Sequence, residues 1–227
     1  MTVDTIQPEK KEVGSFKMFQ AMVGIGIICA LAIVVTYQTT LPVITKNKAE
    51  ALEKAIYKVL PGAQTRKNFQ WDGQKFSEAD PSDHSLKDVI YTGLDANGAM
   101  VGIAIEAKGQ GFQDAIQVLY GFDPEKQAII GFYVLDSRET PGLGDKIASD
   151  AAFQENFKAL TARLDESGKK LEHDIQTVKH GTKSKPWEID AITGATISSK
   201  AVGNILNHSA QYWAPIIKAH IDELRTH

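Results

Sequence analysis

From Met18 to Thr45 the chain carries no charged side chain. No other feature restricts its fold so strongly. The centre of this run, AMVGIGIICALAIVV from Ala21 to Val35, is almost wholly apolar. With Met18, Phe19, Tyr37 and Leu41 it reaches the roughly 20 residues a helix needs to cross a hydrocarbon layer. Tyr37 suits an interfacial anchor, and charge resumes at Lys17 and Lys46. A cleaved signal peptide would show a shorter apolar stretch and an Ala-x-Ala site, and Thr36 to Pro42 offers none. A lipoprotein signal wants a small residue before its cysteine, where this chain has Ile28 before Cys29. A buried helix of a soluble protein is rarely so uniformly apolar. The expectation is an uncleaved single-pass membrane helix over residues 18–42. Lysines flank it on both sides (Lys10, Lys11 and Lys17; Lys46, Lys48, Lys54 and Lys58), so charge does not choose its orientation.

The remainder has the length of one ordinary domain, residues 43–227. Ala49 to Leu60 reads as a short amphipathic helix stopped by Pro61-Gly62. Core packing is its plain reading, with a membrane-surface role as the alternative. Residues 65–86 are polar, with turn signals at Asp72-Gly73 and Asp80-Pro81. Strand patterns follow at Val89–Leu94 and Met100–Ala107, joined by Asp95-Ala96-Asn97-Gly98, a hairpin signal. A second hairpin is expected from Ile116–Phe122 and Ala128–Leu135 around Asp123-Pro124-Glu125. The spacing of Phe153, Phe157, Leu160 and Leu164 predicts a helix over 148–164. A short strand is expected at Asp174–Val178. The last helix should run from Thr196 to about Tyr212 and bury Ile197, Ala201, Val202, Ile205 and Leu206. The fold class is therefore α+β, a mainly antiparallel sheet with packed helices.

Composition excludes several functions. A net charge of −3 with no basic block gives no case for nucleic acid. One cysteine cannot make an internal disulfide or hold an iron–sulfur cluster. The six histidines show no helical metal-ligand pair, so no metal site is expected. Nucleophile elbows, Walker loops and dinucleotide fingerprints are missing.

Two stretches invite chemistry. DAITGATISSK, Asp190 to Lys200, crowds hydroxyls at the start of a helix. Such hydroxyls cap unpaired amides, and the same helix end favours a phosphate. Gly194 and Ala195 keep bulk away from Thr196, while Thr193, Ser198 and Ser199 read as capping and surface groups. ETPGLGDK, Glu139 to Lys146, is a glycine-rich turn that exposes backbone. A simple helix cap and a surface turn remain the plain readings of the two.

Together the two stretches resemble the FMN-binding family of RnfG and NqrC subunits. The motif Asp-x-x-(Ser/Thr)-Gly-Ala-Thr stands intact at Asp190 to Thr196, and Glu-Thr-Pro-Gly-Leu-Gly at Glu139 to Gly144. One apolar span, the Val59-Leu60-Pro61-Gly62 stop and a single domain complete the layout. Gly109-Gln110-Gly111-Phe112-Gln113 departs from the family's Gly-Tyr-Gly-Gly.

The resemblance implies covalently attached FMN, linked by its phosphate to Thr196 and installed by a flavin transferase. It implies a recognition role for Asp190, Thr193, Gly194 and Ala195. It further implies a wall for the flavin ring at Glu139, Thr140, Gly142, Leu143 and Gly144. Trp187 or Trp213 is a further aromatic to consider at the ring. The implied function is an electron-transfer subunit of an Rnf-type membrane complex that couples ferredoxin:NAD electron transfer to Na⁺ or H⁺ translocation. Such an enzyme subunit needs no complete active site, and so no catalytic residue, of its own. Its partners would be the other subunits. Residues 1–17 would be a cytoplasmic tail and 43–227 an extracytoplasmic domain at the cell inner membrane. The alternatives are an NqrC-type subunit of a Na⁺-translocating NADH:quinone reductase, a non-catalytic anchored module that binds FMN or another phosphate ligand, and a flavin domain serving an anaerobic reductase.

A spanning helix resists alkaline carbonate washing and yields only to detergent. Recovery of the full-length chain in the carbonate supernatant would rule the span out.

Overall fold

The computed structural model describes residues 14–80 and 86–225. Most of the expected N-terminal tail, the proline of the Asp80-Pro81 turn, His84 and His227 lie outside them. The chain divides into two units, Met1–Glu50 and Ala51–His227.

Helix α1 runs over Ser15–Val59, and among the described residues it is the one helix long and apolar enough to cross a membrane. It continues through Pro42, so the helix expected at Ala49–Leu60 is the end of α1 and not a separate element. Threonines are tolerated in this apolar stretch because each hydroxyl bonds back to its own helix. Thr36 donates to the Ala32 carbonyl (2.7 Å), Thr40 to Thr36 (2.8 Å) and Thr45 to Leu41 (3.0 Å). No hydroxyl proton is then left unpaired in a medium without water.

In the second unit a seven-stranded antiparallel sheet has the order β2-β1-β3-β4-β5-β6-β7. Its strands are β1 (Thr65–Trp71), β2 (Phe76–Glu78), β3 (Val89–Leu94), β4 (Met100–Gln110), β5 (Ala115–Asp123), β6 (Ala128–Asp136) and β7 (Leu160–Thr161). The two expected hairpins are β3–β4 and β5–β6. Asp95 Oδ1 accepts from the amides of Asn97 and Ala99, and Gly98 takes the left-handed φ of 79° that this turn requires. Asp123 plays the same part in the next turn, accepting from Glu125 and Lys126 (3.0 Å each).

Strands β1 and β2 occupy the polar stretch in which only turn signals were read. In TRKNFQW only Asn68 and Phe69 are buried, so the segment shows little apolar alternation. It is held by its register against β3, from Thr65↔Leu94 to Gln70↔Val89. The helix expected over 148–164 is also corrected. Only α2, Ala151–Glu155, is helical there, and β7 follows. The four apolar residues are all buried, but by an irregular path. Phe153 and Phe157 pack with Phe132, the Phe132–Phe157 rings stacking at 4.2 Å. Asn156 ends the helix by turning its amide to the Phe153 and Asp190 carbonyls. A short parallel pair, β8 (Gln176–Val178) with β9 (Glu188–Asp190), leads into helix α3, Thr196–Ala219, and then α4, Ile221–Arg225. Helix α3 outruns the expected end at Tyr212.

Each face of the sheet packs a helix. Ile116, Val118, Tyr120 and Phe122 of β5 meet Val202, Ile205 and Leu206 of α3 in the main core. Leu119, facing the other way, joins Tyr91 and Ala104 under Ala55, Ile56, Val59 and Leu60. This second face carries Gly93, Gly102, Gly121 and Gly131 where the helix end lies on it. A Cβ on Gly131 would stand 2.6 Å from Val59 Cα, and one on Gly93 2.7 Å from Leu60 Cδ1. The helix end therefore sits on bare backbone.

Gly131→Ala meets main chain and not a movable side-chain tip, and is expected to cost about 2 kcal/mol or more. A thermal scan of the detergent-solubilised chain checks this; an unchanged midpoint would mean that the helix end is free to shift.

Candidate functional site

Strand β6 ends at Asp136, and the next residues form a tight turn before a 3₁₀ helix at Gly144–Ala148. The Thr140 carbonyl accepts from the Leu143 amide (3.1 Å), and Gly142 adopts φ 76°, a conformation that favours glycine. Buried Ile147 fixes the far end of the turn, which leaves Leu143 half exposed at 50%.

The second stretch leaves β9 at Asp190 and turns through Ala191–Ala195. The Ala195 amide donates to the Ile192 carbonyl (3.1 Å), and Gly194 adopts φ 83° with open space where its Cβ would be. Helix α3 begins at Thr196. Its N-cap residue is Ala195, which has no side chain able to cap. The amides of a first helical turn have no partner within the helix, so this end offers donors and a positive dipole. Thr196 is exposed, and its hydroxyl bonds to no described residue.

Ser198 and Ser199 were expected as capping and surface groups, and the structure buries both. At about 100° per residue Ser198 lies roughly 200° round the helix from exposed Thr196 and so faces inward. Ser199 donates to the Ala195 carbonyl (2.9 Å) and accepts from the Ile192 amide (3.1 Å), closing the turn onto the helix. Ser198 donates to Glu139 Oε2. The other oxygen of Glu139 accepts from the amides of Phe112 (2.8 Å) and Gln113 (3.0 Å). Glu139 is itself only 5% exposed.

These bonds bring the two stretches to one open cavity of about 320 Å³. Glu139, Thr140, Leu143 and Gly144 line it from one side, Gly194, Ala195 and Thr196 from the other. Phe112, from the stretch that departs from the family's pattern, completes it with Ile197 and Ser198, neither of which was expected there. Ile197 was assigned to the buried stripe of α3 but is 58% exposed, as is Phe112. With Leu143 they are three of the four large apolar side chains exposed outside α1 among the described residues. Exposed apolar surface gathered around a concavity marks a binding site. A lone aromatic directly after Gly111 in a polar loop was the signal at Phe112.

Other expected residues lie elsewhere. Thr193 and Gly142 are exposed beside the cavity but do not line it. Asp190 turns away from it. Its Oδ1 accepts from the Gly181 amide (2.7 Å), and Oδ2 lies 3.2 Å from His180 Nδ1. Trp187 stacks on His173 at 3.8 Å, and Trp213 is buried in the core near Phe76. Neither tryptophan reaches the cavity.

Because no atom crowds Gly194, Gly194→Ala should cost only the left-handed backbone penalty, about 1–2 kcal/mol. Denaturant titration measures it, and a neutral substitution would contradict the turn geometry.

Comparison with known proteins adds an independent line. The FMN-binding domain family matches residues 111–211, a span that holds every residue lining the cavity. The G subunit of the ion-translocating oxidoreductase complex of Methanosarcina acetivorans is 31% identical over 86% of this chain and 93% of its own. The G subunit of the Na⁺-translocating ferredoxin:NAD⁺ oxidoreductase complex of Acetobacterium woodii is 29% identical over 96% of this chain and 99% of its own. Among solved structures, Shewanella oneidensis NqrC superposes with a TM-score of 0.60 at 17% identity, covering 80% of this chain and all of that one. The C subunit of the Na⁺-translocating NADH-quinone reductase of Parabacteroides distasonis gives 0.57 at 20% identity, over 76% of this chain and 95% of that one. At such identities the two structures speak for the fold alone.

Proposed function

This chain belongs to the RnfG family, the G subunits of ion-translocating oxidoreductase complexes, and from that premise we propose that it bears covalent FMN on Thr196. The observation that carries the reading is the shared cavity. Two glycine-bearing stretches some fifty residues apart in sequence meet there, with an exposed threonine hydroxyl at an uncapped helix end.

The residues fit the group. Thr196 Oγ1 is placed to hold the phosphoryl through an ester bond. The first-turn amides of α3 and the helix dipole favour the remaining phosphate charge. Phe112, Leu143 and Ile197 offer an apolar wall to a flat ring and keep water from it. Thr140, whose oxygen accepts from Gln113 Nε2 (3.1 Å), adds a hydroxyl to the same wall. Bound FMN supplies reversible uptake and release of electrons, and the protein tunes it by packing, hydrogen bonding and nearby charge.

An unassisted threonine hydroxyl is a weak nucleophile, and no base lies within hydrogen-bond reach of Thr196 among the described residues. Attachment therefore falls to a separate flavin transferase. Thr196 Oγ1 forms the new bond to phosphorus, the anhydride bond of an FAD donor breaks, AMP leaves, and the hydroxyl proton passes to the transferase. Asp190 belongs to the surface that enzyme reads, supported by its position at the head of the motif and its partial exposure.

In the complex the chain relays electrons between neighbouring subunits of a ferredoxin:NAD⁺-type machine that moves Na⁺ or H⁺. Helix α1 anchors it in the plasma membrane, with the sheet domain on the extracytoplasmic side. The second reading sets the chain in a NADH:quinone reductase; the fold shared with NqrC suits both readings and does not choose between them. The sequence identity to two G subunits favours the first.

The intact mass of chain purified from cells with the transferase should exceed the polypeptide mass by one FMN less water. Thr196→Ala should show the bare polypeptide mass and lose its fluorescent band on a denaturing gel. A band that survives in Thr196→Ala would reject the site.

A further inference from the structure

Glu139 stands in the middle of the site, yet both of its oxygens are already taken. Oε1 receives two backbone amides from the loop after β4, and Oε2 receives the Ser198 hydroxyl from the first turn of α3. Three donors from two other segments meet its two oxygens and define where it sits. Room for it is reserved on both sides. A Cβ on Gly111 would come within 2.5 Å of Oε1, and one on Gly144 within 2.6 Å of Ser198 Oγ and 2.7 Å of Oε2. Any larger residue at either glycine would displace the carboxylate or the serine.

The three segments joined in this way are the three that present the apolar wall. Phe112 donates one of the amides itself, Leu143 precedes Gly144, and Ile197 precedes Ser198. We infer that Glu139 and Ser198 are a positioning pair. They clamp the start of α3 to the loops at 111–113 and 139–144, and so hold the Thr196 hydroxyl in register with the wall that receives the flavin. The pair acts through placement. Glu139 gives up no proton and need not touch the flavin.

This inference rests on Thr196 as the attachment site, and the test separates the two. Full-length chain in detergent is incubated with the transferase, FAD and Mg²⁺, and covalent loading is followed by intact mass over time. Melting midpoints are recorded for each variant, and loading is compared where all are folded. Ser198→Ala and Glu139→Ala should each slow loading roughly tenfold to a hundredfold, the scale of a misplaced reacting group. The double variant should be no slower than the slower single one, since both break the same clamp. Glu139→Gln should recover most of what Glu139→Ala loses. Its amide oxygen still accepts from Phe112 and Gln113, and its nitrogen can donate to Ser198 Oγ. A purely structural role would lower the midpoint and leave the loading rate of folded protein alone. Ser198→Ala loading at the wild-type rate would overturn the clamp. So would Glu139→Gln as slow as Glu139→Ala, because charge and not placement would then matter. Flavin on Thr196→Ala, or none on the wild type, would instead reject Thr196 itself.

Discussion

Main chain packs directly on main chain where α1 ends. Val59 and Leu60 lie against Gly93, Gly102, Gly121 and Gly131 on four adjacent strands, β3 to β6. A side chain at Gly121 or Gly131 would meet the Val59 main chain and lift the helix end from the sheet, and one at Gly93 or Gly102 would meet the Leu60 side chain. Because the helix end covers one face there, the other face is left to α3 and the main core. That division sets everything after it. With α3 packed across β4 and β5 on the opposite face, its first turn comes to the loops beyond β4 and β6. The cavity forms where they meet.

The polar groups at that meeting point are distributed unevenly. The buried ones, Glu139, Ser198 and Ser199, are all engaged with each other or with backbone. A buried polar group left alone would be costly, and these are not left alone. Exposed Thr196, by contrast, has no hydrogen-bond partner among the described residues. Around it stand apolar side chains that an isolated domain would rather bury. The inner shell is thus complete as it stands, and the outer shell is open to a ligand that is flat and apolar at one end and anionic at the other.

Much of this was legible in the sequence, and for identifiable reasons. The hairpins announce themselves through Asn97-Gly98 and Asp123-Pro124, because turn chemistry is local. Thr196 and the Glu139–Gly144 loop stand out through short motifs. What was not legible depends on distant segments. Strand β1 hides because β3 supplies its order and its own side chains show little alternation. The apolar period from Phe153 to Leu164 reports burial but not helix, since Asn156 and the pairing of β7 with β6 redirect the chain. Ile197 looks like core on a helical wheel, and only the cavity mouth makes it a wall. Ser198 looks like surface, and only a carboxylate 59 residues earlier makes it part of the interior.

One consequence of the bare start of α3 concerns the lifetime of the chain. A helix of 24 residues whose N-cap is alanine forgoes the stabilisation a capping side chain gives, typically about 1 kcal/mol. An anion fixed at that end restores it, by the ordinary linkage of ligand to native state. In the reading proposed for Thr196, a chain without the phosphoryl group lacks that stabilisation at the residue to be modified. Proteases that sample frayed ends would then cut chains without the group sooner than chains that carry it, with no dedicated reader of the cofactor.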